Sequence, residues 1–274
     1  MRIQVLMENT PNSPEFAAEH GLSLHIQTGK RAVLMDFGKT SRFAENAALL
    51  GVNLAAVDMA VVSHGHYDHT GGLSHFLDNN AFAPVYLREG AAAEYYALRQ
   101  DGDRDYIGMD PALKRHKRLR FLPTYADLGD GFTVFSGVVG RTHFPLSNGV
   151  LLKHNGMHFT PDEFAHEQNL LVDTEEKLFL FCGCAHNGIV NILSVVRERK
   201  GRMPDYVFGG LHLNNPTTGT SEPEETVDAV AAFLAQTGAM VYTGHCTGEP
   251  AYRRLKRRLG DKIDTLRAGK TIEI

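Results

Sequence analysis

The sequence predicts an α+β fold, in which the strand and helix blocks of two halves of the chain form one sandwich with internal pseudo-symmetry. Short apolar strands and amphipathic helices follow one another in both halves. A dense group of metal-ligand side chains follows an apolar strand at residues 63–73, and a glycine with a nearby histidine follows three later strands. No long linker or change in composition divides the chain, so we expect a single domain over residues 1–274.

The elements of the first half can be placed from their periodicity. Strands are predicted at residues 1–7, 21–26, 32–36, 60–62 and 84–87, and helices at residues 40–50, 72–77 and 89–98. The polar segment 8–20 contains two prolines, which predicts a loop near the rim of the site. The charged segment 99–120 is typical of a solvated helix face or loop; a lid or basic wall for a phosphorylated substrate is the alternative.

The second half continues with the same kinds of element. Strands are predicted at residues 132–135, 170–172, 178–181, 206–208, 240–242 and 271–274, and helices from residue 189 and at residues 252–259. Between two of these strands, Ser221 is followed by Pro223 and Glu224, which predicts a helix with Ser221 as its N-cap.

Four potential metal ligands occur within six residues, namely His64, His66, Asp68 and His69. His64 and His66 lie two apart where the chain leaves a strand, so both imidazoles can face one divalent ion. Asp68 and His69 follow a bend and can face a second ion, an arrangement that activates a bridging water. Gly71-Gly72 permits a close backbone approach or a positive φ. A histidine-rich solvated loop is the alternative, but such loops rarely carry this set of side chains directly after an apolar strand.

Three further histidines lie just past strand ends in the second half, namely His186, His212 and His245. Loops at one edge of a sandwich converge, so we expect these side chains to face one cavity. His186 is predicted to bind metal, with substrate binding or helix capping as the alternative. His212 is assigned to substrate binding or proton transfer, with a buried structural histidine as the alternative.

The segment from Ser63 to Leu73 resembles the signature of the metallo-β-lactamase superfamily. This resemblance implies a four-layer αββα sandwich with a mono- or dinuclear metal site at one edge, most often zinc, and usually hydrolytic chemistry. Asp36-Phe37-Gly38 resembles the first motif of that family, whose acid supports the site by hydrogen bonding; an ordinary turn aspartate is the alternative. Gly244-His245 resembles the last motif, whose histidine completes the second metal.

The chain departs from the general superfamily pattern at the middle ligands. Most members carry a middle histidine and, roughly a hairpin later, an aspartate that bridges the metals. By position, His166 could be the middle ligand and Cys184 the bridge, because thiolate suits zinc. His186 could serve as the middle ligand instead. The sequence leaves open which of these residues completes the shell, whether one or two ions bind, and whether manganese or iron replaces zinc.

Several short motifs resemble those of the 7,8-dihydropterin-6-yl-methyl-4-(β-D-ribofuranosyl)aminobenzene 5′-phosphate synthase-like branch of metal-dependent hydrolases. They occur in the same order over nearly the whole chain, at residues 19–23, 63–73, 183–192, 210–213 and 245–248. The resemblance implies a metal-dependent hydrolase or related transferase acting on a phosphorylated or pterin-like small molecule. Arg141 is then a candidate clamp for an anionic group, provided that it faces the cavity.

Together these patterns give a mechanistic hypothesis in which a metal-activated water attacks the substrate. The predicted ligands are His64, His66 and His186 for a first ion, and Asp68, His69 and His245 for a second. Asp68 would also orient or deprotonate the nucleophile, and His212 would protonate the leaving group. Two alternatives stay open, an iron-dependent redox enzyme and a non-catalytic sensor that binds metal and a small molecule.

Composition and charge limit the kinds of partner that we expect this protein to bind. The formal net charge of −4 provides no global attraction to nucleic acid or anionic membranes. No apolar run approaches the roughly 20 residues that span a bilayer, and the amino terminus does not read as a secretory signal, so a cytoplasmic location is expected. The three cysteines form an odd number and are expected to be reduced. We therefore expect a small-molecule substrate, and the sequence does not predict an oligomeric state.

Overall fold

Two seven-stranded sheets pack face to face in the computed structural model, which describes residues 1–274. The strands are β1 Arg2–Met7, β2 Ser23–Gln27, β3 Ala32–Met35, β4 Met59–Val61, β5 Val85–Arg88, β6 Glu94–Leu98, β7 Arg104–Tyr106, β8 Leu119–Leu122, β9 Tyr125–Gly129, β10 Phe132–Ser136, β11 Leu151–His154, β12 Phe159–Pro161, β13 Gln168–Asp173, β14 Leu178–Phe181, β15 Tyr206–Gly209, β16 Met240–Thr243, β17 Ile263–Thr265 and β18 Thr271–Glu273. The helices are α1 Arg42–Leu49, α2 Tyr67–Thr70, α3 Leu73–Asn79, α4 Ile189–Lys200, α5 Glu224–Thr237 and α6 Glu249–Leu259.

Each large sheet has one antiparallel and one parallel part. The first sheet has the strand order β18-β1-β2-β3-β4-β5-β8, and the second has the order β17-β16-β15-β14-β13-β10-β9. Strands β3, β4, β5 and β8 run parallel to one another, as do β14, β15, β16 and β17. The parallel strands of both sheets end in the loops that carry the predicted ligands, which is the usual location of sites in such sheets.

Three apolar layers hold the sandwich together. The inner core lies between the two sheets and includes Val5, Ile26 and Phe181. One outer core packs α1 and α3 against the first sheet, through residues such as Phe43 and Phe76. The other packs α4, α5 and α6 against the second sheet. The predicted αββα order is confirmed. No helix has the length and apolar content needed to cross a bilayer.

A third, four-stranded sheet with the order β12-β11-β6-β7 corrects the prediction of a helix at residues 89–98. That segment is rich in alanine, which favours a helix. In the structure Glu94–Leu98 is a strand whose buried residues alternate, with Tyr95 and Ala97 inward. It pairs with β11, where Leu151 lies opposite Ala97. We call this the accessory sheet. Pairing with a strand distant in sequence outweighs local propensity here.

The start of α5 also differs from the prediction. The helix begins at Glu224, and Pro223 rather than Ser221 occupies the N-cap position. The Ser221 hydroxyl instead donates a hydrogen bond to the Leu213 carbonyl oxygen at 3.2 Å, and Ser221 forms an isolated bridge with Asn214. The serine is therefore used to hold the preceding loop.

Candidate metal centre

The loops after β4, β14, β15 and β16 bring six predicted histidines to one edge of the sandwich, namely His64, His66, His69, His186, His212 and His245. The second sheet contributes Cys184 and His186 after β14, His212 after β15 and His245 after β16. The backbone is left-handed at Ala185, His212 and His245, with φ of 54°, 49° and 49°. Such conformations are uncommon for residues other than glycine and concentrate at functional sites.

One group of side chains consists of His64, His66 and His186. Each is almost fully buried, and the Nε2 atom of each has no hydrogen-bond partner. Burial and the neighbouring imidazoles lower the pKa of all three, most strongly for His64 and His186. The neutral imidazole is the form that binds metal. Unpartnered buried nitrogens are rare in proteins, so these three atoms fit the coordination of a metal ion.

A second group consists of Asp68, His69, Cys184 and His245, whose potential ligand atoms lie within 4.8 Å of one another. His69 Nε2 lies 3.1 Å from Cys184 Sγ and 3.2 Å from His245 Nε2. His245 Nε2 lies 3.2 Å from Asp68 Oδ2. Although burial opposes it, the adjacent histidines hold the pKa of Asp68 well below its usual range. One carboxylate, one thiol and two imidazoles form a donor set that suits zinc.

Hydrogen bonds from neighbouring side chains fix which nitrogen of each histidine faces the centre. His69 Nδ1 donates to Asp36 Oδ2 at 2.6 Å, and His64 Nδ1 lies 2.9 Å from the Ser63 hydroxyl. That hydroxyl donates to Asp36 Oδ2 at 2.6 Å, and Asp36 Oδ1 accepts the Ser63 N–H at 2.7 Å. Asp36 therefore makes the supporting hydrogen bonds that its motif implied, directly to His69 and through Ser63 to His64, and the Nε2 atoms of these two histidines face the ligand groups. Outer contacts of this kind orient metal-binding histidines.

The second half of the centre is supported in the same way. His186 Nδ1 donates to Asn148 Oδ1 at 2.9 Å, and the buried Glu167 carboxylate accepts the backbone N–H of His186 at 2.6 Å. His245 Nδ1 donates to Asn9 Oδ1 at 2.9 Å. The Nε2 atoms of His186 and His245 are thus directed away from these contacts and toward the ligand groups.

His166 has both ring nitrogens engaged. Its Nδ1 accepts the Gly65 N–H at 3.0 Å, and its Nε2 donates to Asp162 Oδ2 at 2.9 Å. Asp162 Oδ2 in turn lies 3.8 Å from His66 Nε2. These contacts favour a supporting role behind His66, while His186, with its free Nε2, is the better candidate for the middle ligand.

Glycines allow the close approaches that the site requires. A Cβ on Gly71 would lie 1.9 Å from the Lys39 carbonyl oxygen, so the close-approach explanation for this glycine is confirmed. A Cβ on Gly183 would lie 2.1 Å from Ser63 Oγ. Gly183 therefore lets the loop after β14 pass directly beside the Asp36 hydrogen bonds.

A cavity of about 400 Å³ opens onto both ligand groups. Its lining includes His66, Asp68, Cys184, His186 and His212, together with residues of the accessory sheet and the 214–221 loop. His212 is buried, and neither of its ring nitrogens has a hydrogen-bond partner. The size is that of a small-molecule site.

Arg141, the candidate anion clamp, lies outside the cavity. Arg141 is exposed and does not line the cavity; its guanidinium donates to the Gly140 carbonyl at 2.9 Å and lies over the Phe144 ring. Of the aromatic residues Tyr67, Phe144 and Phe159, only Tyr67 lines the cavity. The condition attached to Arg141 as an anion clamp, that it face the cavity, is not met.

Sequence reasoning missed several residues that the structure brings to the site. His20 lines the cavity, and its Nε2 lies 3.2 Å from Asp68 Oδ2. Cys246 and Arg99 also line it. The expected position of segment 8–20 at the rim was a usable signal for His20. The distant supports, namely Asn9, Asn148, Asp162 and Glu167, are ordinary polar residues in the sequence and gave no such signal.

Known proteins are similar to this chain in sequence and in fold. The family model of the metallo-beta-lactamase superfamily matches residues 18–157. The 7,8-dihydropterin-6-methyl-4-(beta-D-ribofuranosyl)-aminobenzene-5'-phosphate synthase of Methanocaldococcus jannaschii is 28% identical over 96% of this chain and 92% of its own. An uncharacterized protein of that organism is 29% identical over 93% of this chain and 94% of its own. The crystal structure of Tm1679, a metal-dependent hydrolase of the beta-lactamase superfamily, is 30% identical, with a TM-score of 0.84 and coverage of 100% and 99%.

Proposed function

Because this chain belongs to the metallo-β-lactamase superfamily, we propose that it is a metal-dependent hydrolase of a small molecule, with zinc as the expected metal. The observation that carries the proposal is the set of buried, unpartnered Nε2 atoms on His64, His66 and His186 beside the group of Asp68, His69, Cys184 and His245. Tm1679, which is similar over its whole length, is described as a metal-dependent hydrolase.

The two groups correspond to two metal positions. The proposed ligands are His64, His66 and His186 for the first ion, and Asp68, His69 and His245 for the second. Cys184 is close to His64 and His186 as well as to His69, so its thiolate would be available as a ligand to either group. A divalent ion in such a site would supply Lewis acidity and a water nucleophile at neutral pH.

The remaining chemistry is assigned to side chains that face the cavity. The Asp68 carboxylate lines the cavity and would orient the nucleophile or accept its proton. His212 has no partner at either ring nitrogen and also lines the cavity, so it can bind the substrate and donate a proton to the leaving group. Burial of both residues limits access of bulk water to the reacting groups.

The substrate class is proposed from resemblance and from the cavity together. The relative from Methanocaldococcus jannaschii is named for a phosphate-bearing pterin product. The lining of the present cavity combines imidazoles and one arginine with apolar residues such as Ile107 and Leu151. A phosphorylated or pterin-like molecule has the corresponding mixture of charge and apolar surface.

The proposal can be tested by measuring hydrolysis of a panel of nitrophenyl phosphodiesters, carboxylic esters and lactones. We expect turnover by the zinc- or manganese-loaded protein, loss of turnover after chelation, and recovery on adding metal back. His66→Ala should reduce kcat/KM to less than about one-hundredth of the wild-type value. The matched control is His158→Ala, because His158 is exposed and lies outside the cavity. Hydrolysis that survives chelation, or equal activity of the two variants, would refute the assignment.

A further inference from the structure

We infer that Arg99 binds an anionic group of the substrate at a position separate from the metal ligands, so that the enzyme selects molecules with a negative charge remote from the bond that is cleaved. The inference rests on the proposed hydrolase function, because the bound anion is part of a substrate only if the protein is an enzyme. The residue lies directly after β6, where the accessory sheet forms one wall of the cavity.

Arg99 is held in place by two contacts that leave part of its guanidinium free. Its Nε donates to Asp105 Oδ2 at 2.6 Å, and its Nη1 donates to the Thr217 hydroxyl at 2.9 Å. The remaining terminal nitrogen, Nη2, makes no hydrogen bond to the protein. About one-third of the side chain is exposed. The guanidinium is therefore oriented before a ligand arrives, which lowers the entropic cost of binding an anion.

The charges of the cavity favour an anion at this point. Arg99 is the only lysine or arginine in the lining, and Asp68 is the only carboxylate. Asp68 lies among the proposed metal ligands, where its charge is already compensated by His20, His69 and His245. Asp105, the partner of Arg99, lies outside the lining. Asp105 offsets part of the Arg99 charge, so an anion in the cavity would be recognised mainly through the Nη2 donor that no protein group occupies.

Part of the cavity lining is apolar. Ala97, Ile107, Val150 and Leu151 contribute to it, and Ala97 and Leu151 are paired across two strands of the accessory sheet. Thr217 comes from the loop between β15 and α5, so the Arg99–Thr217 hydrogen bond joins the accessory sheet to that loop at the cavity. This arrangement fits a ligand with an apolar middle, one end at the metal ligands and an anionic end at Arg99.

The other basic residues of segment 99–120 do not line the cavity. Arg104 is exposed and lies over the Phe159 ring, and it does not line the cavity. Arg118 is buried against the end of α3. Of the segment 99–120, which the sequence suggested as a basic wall, only Arg99 contributes a positive charge to the lining.

The test is calorimetric binding of simple ligands to the metal-loaded protein, with no turnover required. The probes are succinate, glutarate, adipate and pimelate, each compared with the monocarboxylate of the same chain length; the corresponding phosphonocarboxylates show whether phosphonate is preferred at the second position. We expect at least one two-ended anion to bind about tenfold more tightly than its monocarboxylate. Arg99→Gln should abolish that preference and Arg99→Lys should retain part of it, while Arg104→Gln should leave it unchanged.

Two outcomes would overturn the inference. In one, the wild-type protein shows no preference for the two-ended anions at any chain length. In the other, Arg99→Gln keeps the wild-type preference. Metal content and thermal unfolding of each variant verify that the site and fold are intact, and Arg99→Lys preserves the charge if the glutamine variant is unstable. The two proposals can fail independently. If the protein hydrolyses no ester or phosphodiester, the hydrolase proposal fails, but the calorimetric preference that depends on Arg99 can still be measured.

Discussion

At the scale of single residues, Cys184 is the side chain that lies close to both groups of proposed ligands. Its Sγ lies in one group with Asp68, His69 and His245, and in another with His64 and His186. Cys182, two residues earlier, is also buried but belongs to the apolar core under α4. The two cysteines therefore form a matched pair for testing a thiolate ligand.

We predict that cobalt-loaded wild-type protein shows a thiolate-to-cobalt charge-transfer band in the near ultraviolet, because Cys184 Sγ lies close to both groups of proposed ligands. Cys184→Ala should lose most of the intensity of this band, whereas Cys182→Ala should retain it. The intensity of the band is measured from absorbance spectra of the three proteins at equal cobalt content. A band of unchanged intensity in Cys184→Ala would contradict the assignment of this residue.

A second residue-scale prediction concerns His25, which lies on β2 away from the cavity. Burial, with a smaller contribution from the charge of Arg2, lowers the pKa of His25 to about 4. Its Nδ1 donates to Gln4 Oε1 at 3.1 Å. Because the folded-state pKa is below the unfolded value of about 6.5, the unfolded state binds the proton more tightly. Stability is thus complete above pH 6.5 and falls as the pH decreases toward 4.

The expected loss is about 2 kcal/mol of unfolding free energy between pH 7.5 and pH 5. His25→Gln keeps a side chain able to contact Gln4 and removes the titration. Urea unfolding of the metal-free proteins at the two pH values should show a smaller pH dependence in the variant by about this amount. Equal pH dependence in the two proteins would show that His25 is not the group responsible.

Site residues could be predicted from the sequence where they lie close to one another along the chain. The group from His64 to His69 was identifiable because four ligand types follow one strand. The choice among His166, Cys184 and His186 could not be made, because it depends on which ring nitrogens are occupied by Gly65, Asp162 and Asn148. Those contacts join segments far apart in the sequence.

At the scale of elements, the C-terminal end of α3 depends on a buried arginine. Arg118, within a basic run expected to be solvated, donates through Nη1 to the carbonyl of Asn80 and through Nη2 to that of Leu77. The final carbonyls of a helix lack partners within the helix and attract a positive charge. Arg118 is 9% exposed, so for this residue the prediction of a solvated charge was wrong.

We predict that Arg118→Met lowers the unfolding free energy by about 2 to 3 kcal/mol, because it leaves these buried carbonyls without a donor. Arg120→Met is the control, since Arg120 is exposed and should change stability by no more than about 0.5 kcal/mol. Chemical unfolding of both variants gives the comparison. Similar stabilities for the two variants would show that the Arg118 contacts contribute little.

Strands and helices were predictable where their buried residues recur with the period of a strand or a helix. The inner strands of the two large sheets and α4, α5 and α6 have apolar patterns of the expected strand and helix type. The edge strands β8, β9 and β17 were not predicted. The accessory sheet was missed because its strands are short and pair across long separations, as between β6 and β11. The omission mattered for function, since this sheet supplies apolar residues to the cavity lining and precedes Arg99.

At the scale of the whole molecule, the site depends on the contact between the two sheets. The first sheet places His64, His66, Asp68 and His69, and the second places Cys184, His186, His212 and His245. The inner core between the sheets, which includes Phe132 and Met35, fixes their separation. The two-halved sandwich could be predicted from the sequence, but the relative position of its halves is set by packing across that core. The assignment of residues 1–274 to one domain stays a prediction.

The central claim is that these side chains hold two metal ions and that His186 is one of the ligands. The most direct measurement is elemental analysis by mass spectrometry of the purified, metal-loaded and dialysed protein, expressed as metal atoms per chain. We predict about two ions for the wild-type protein and for His158→Ala, and a value approaching one for His186→Ala. A wild-type protein that retains one ion or none, or a His186→Ala variant that retains the full wild-type content, would contradict the claim.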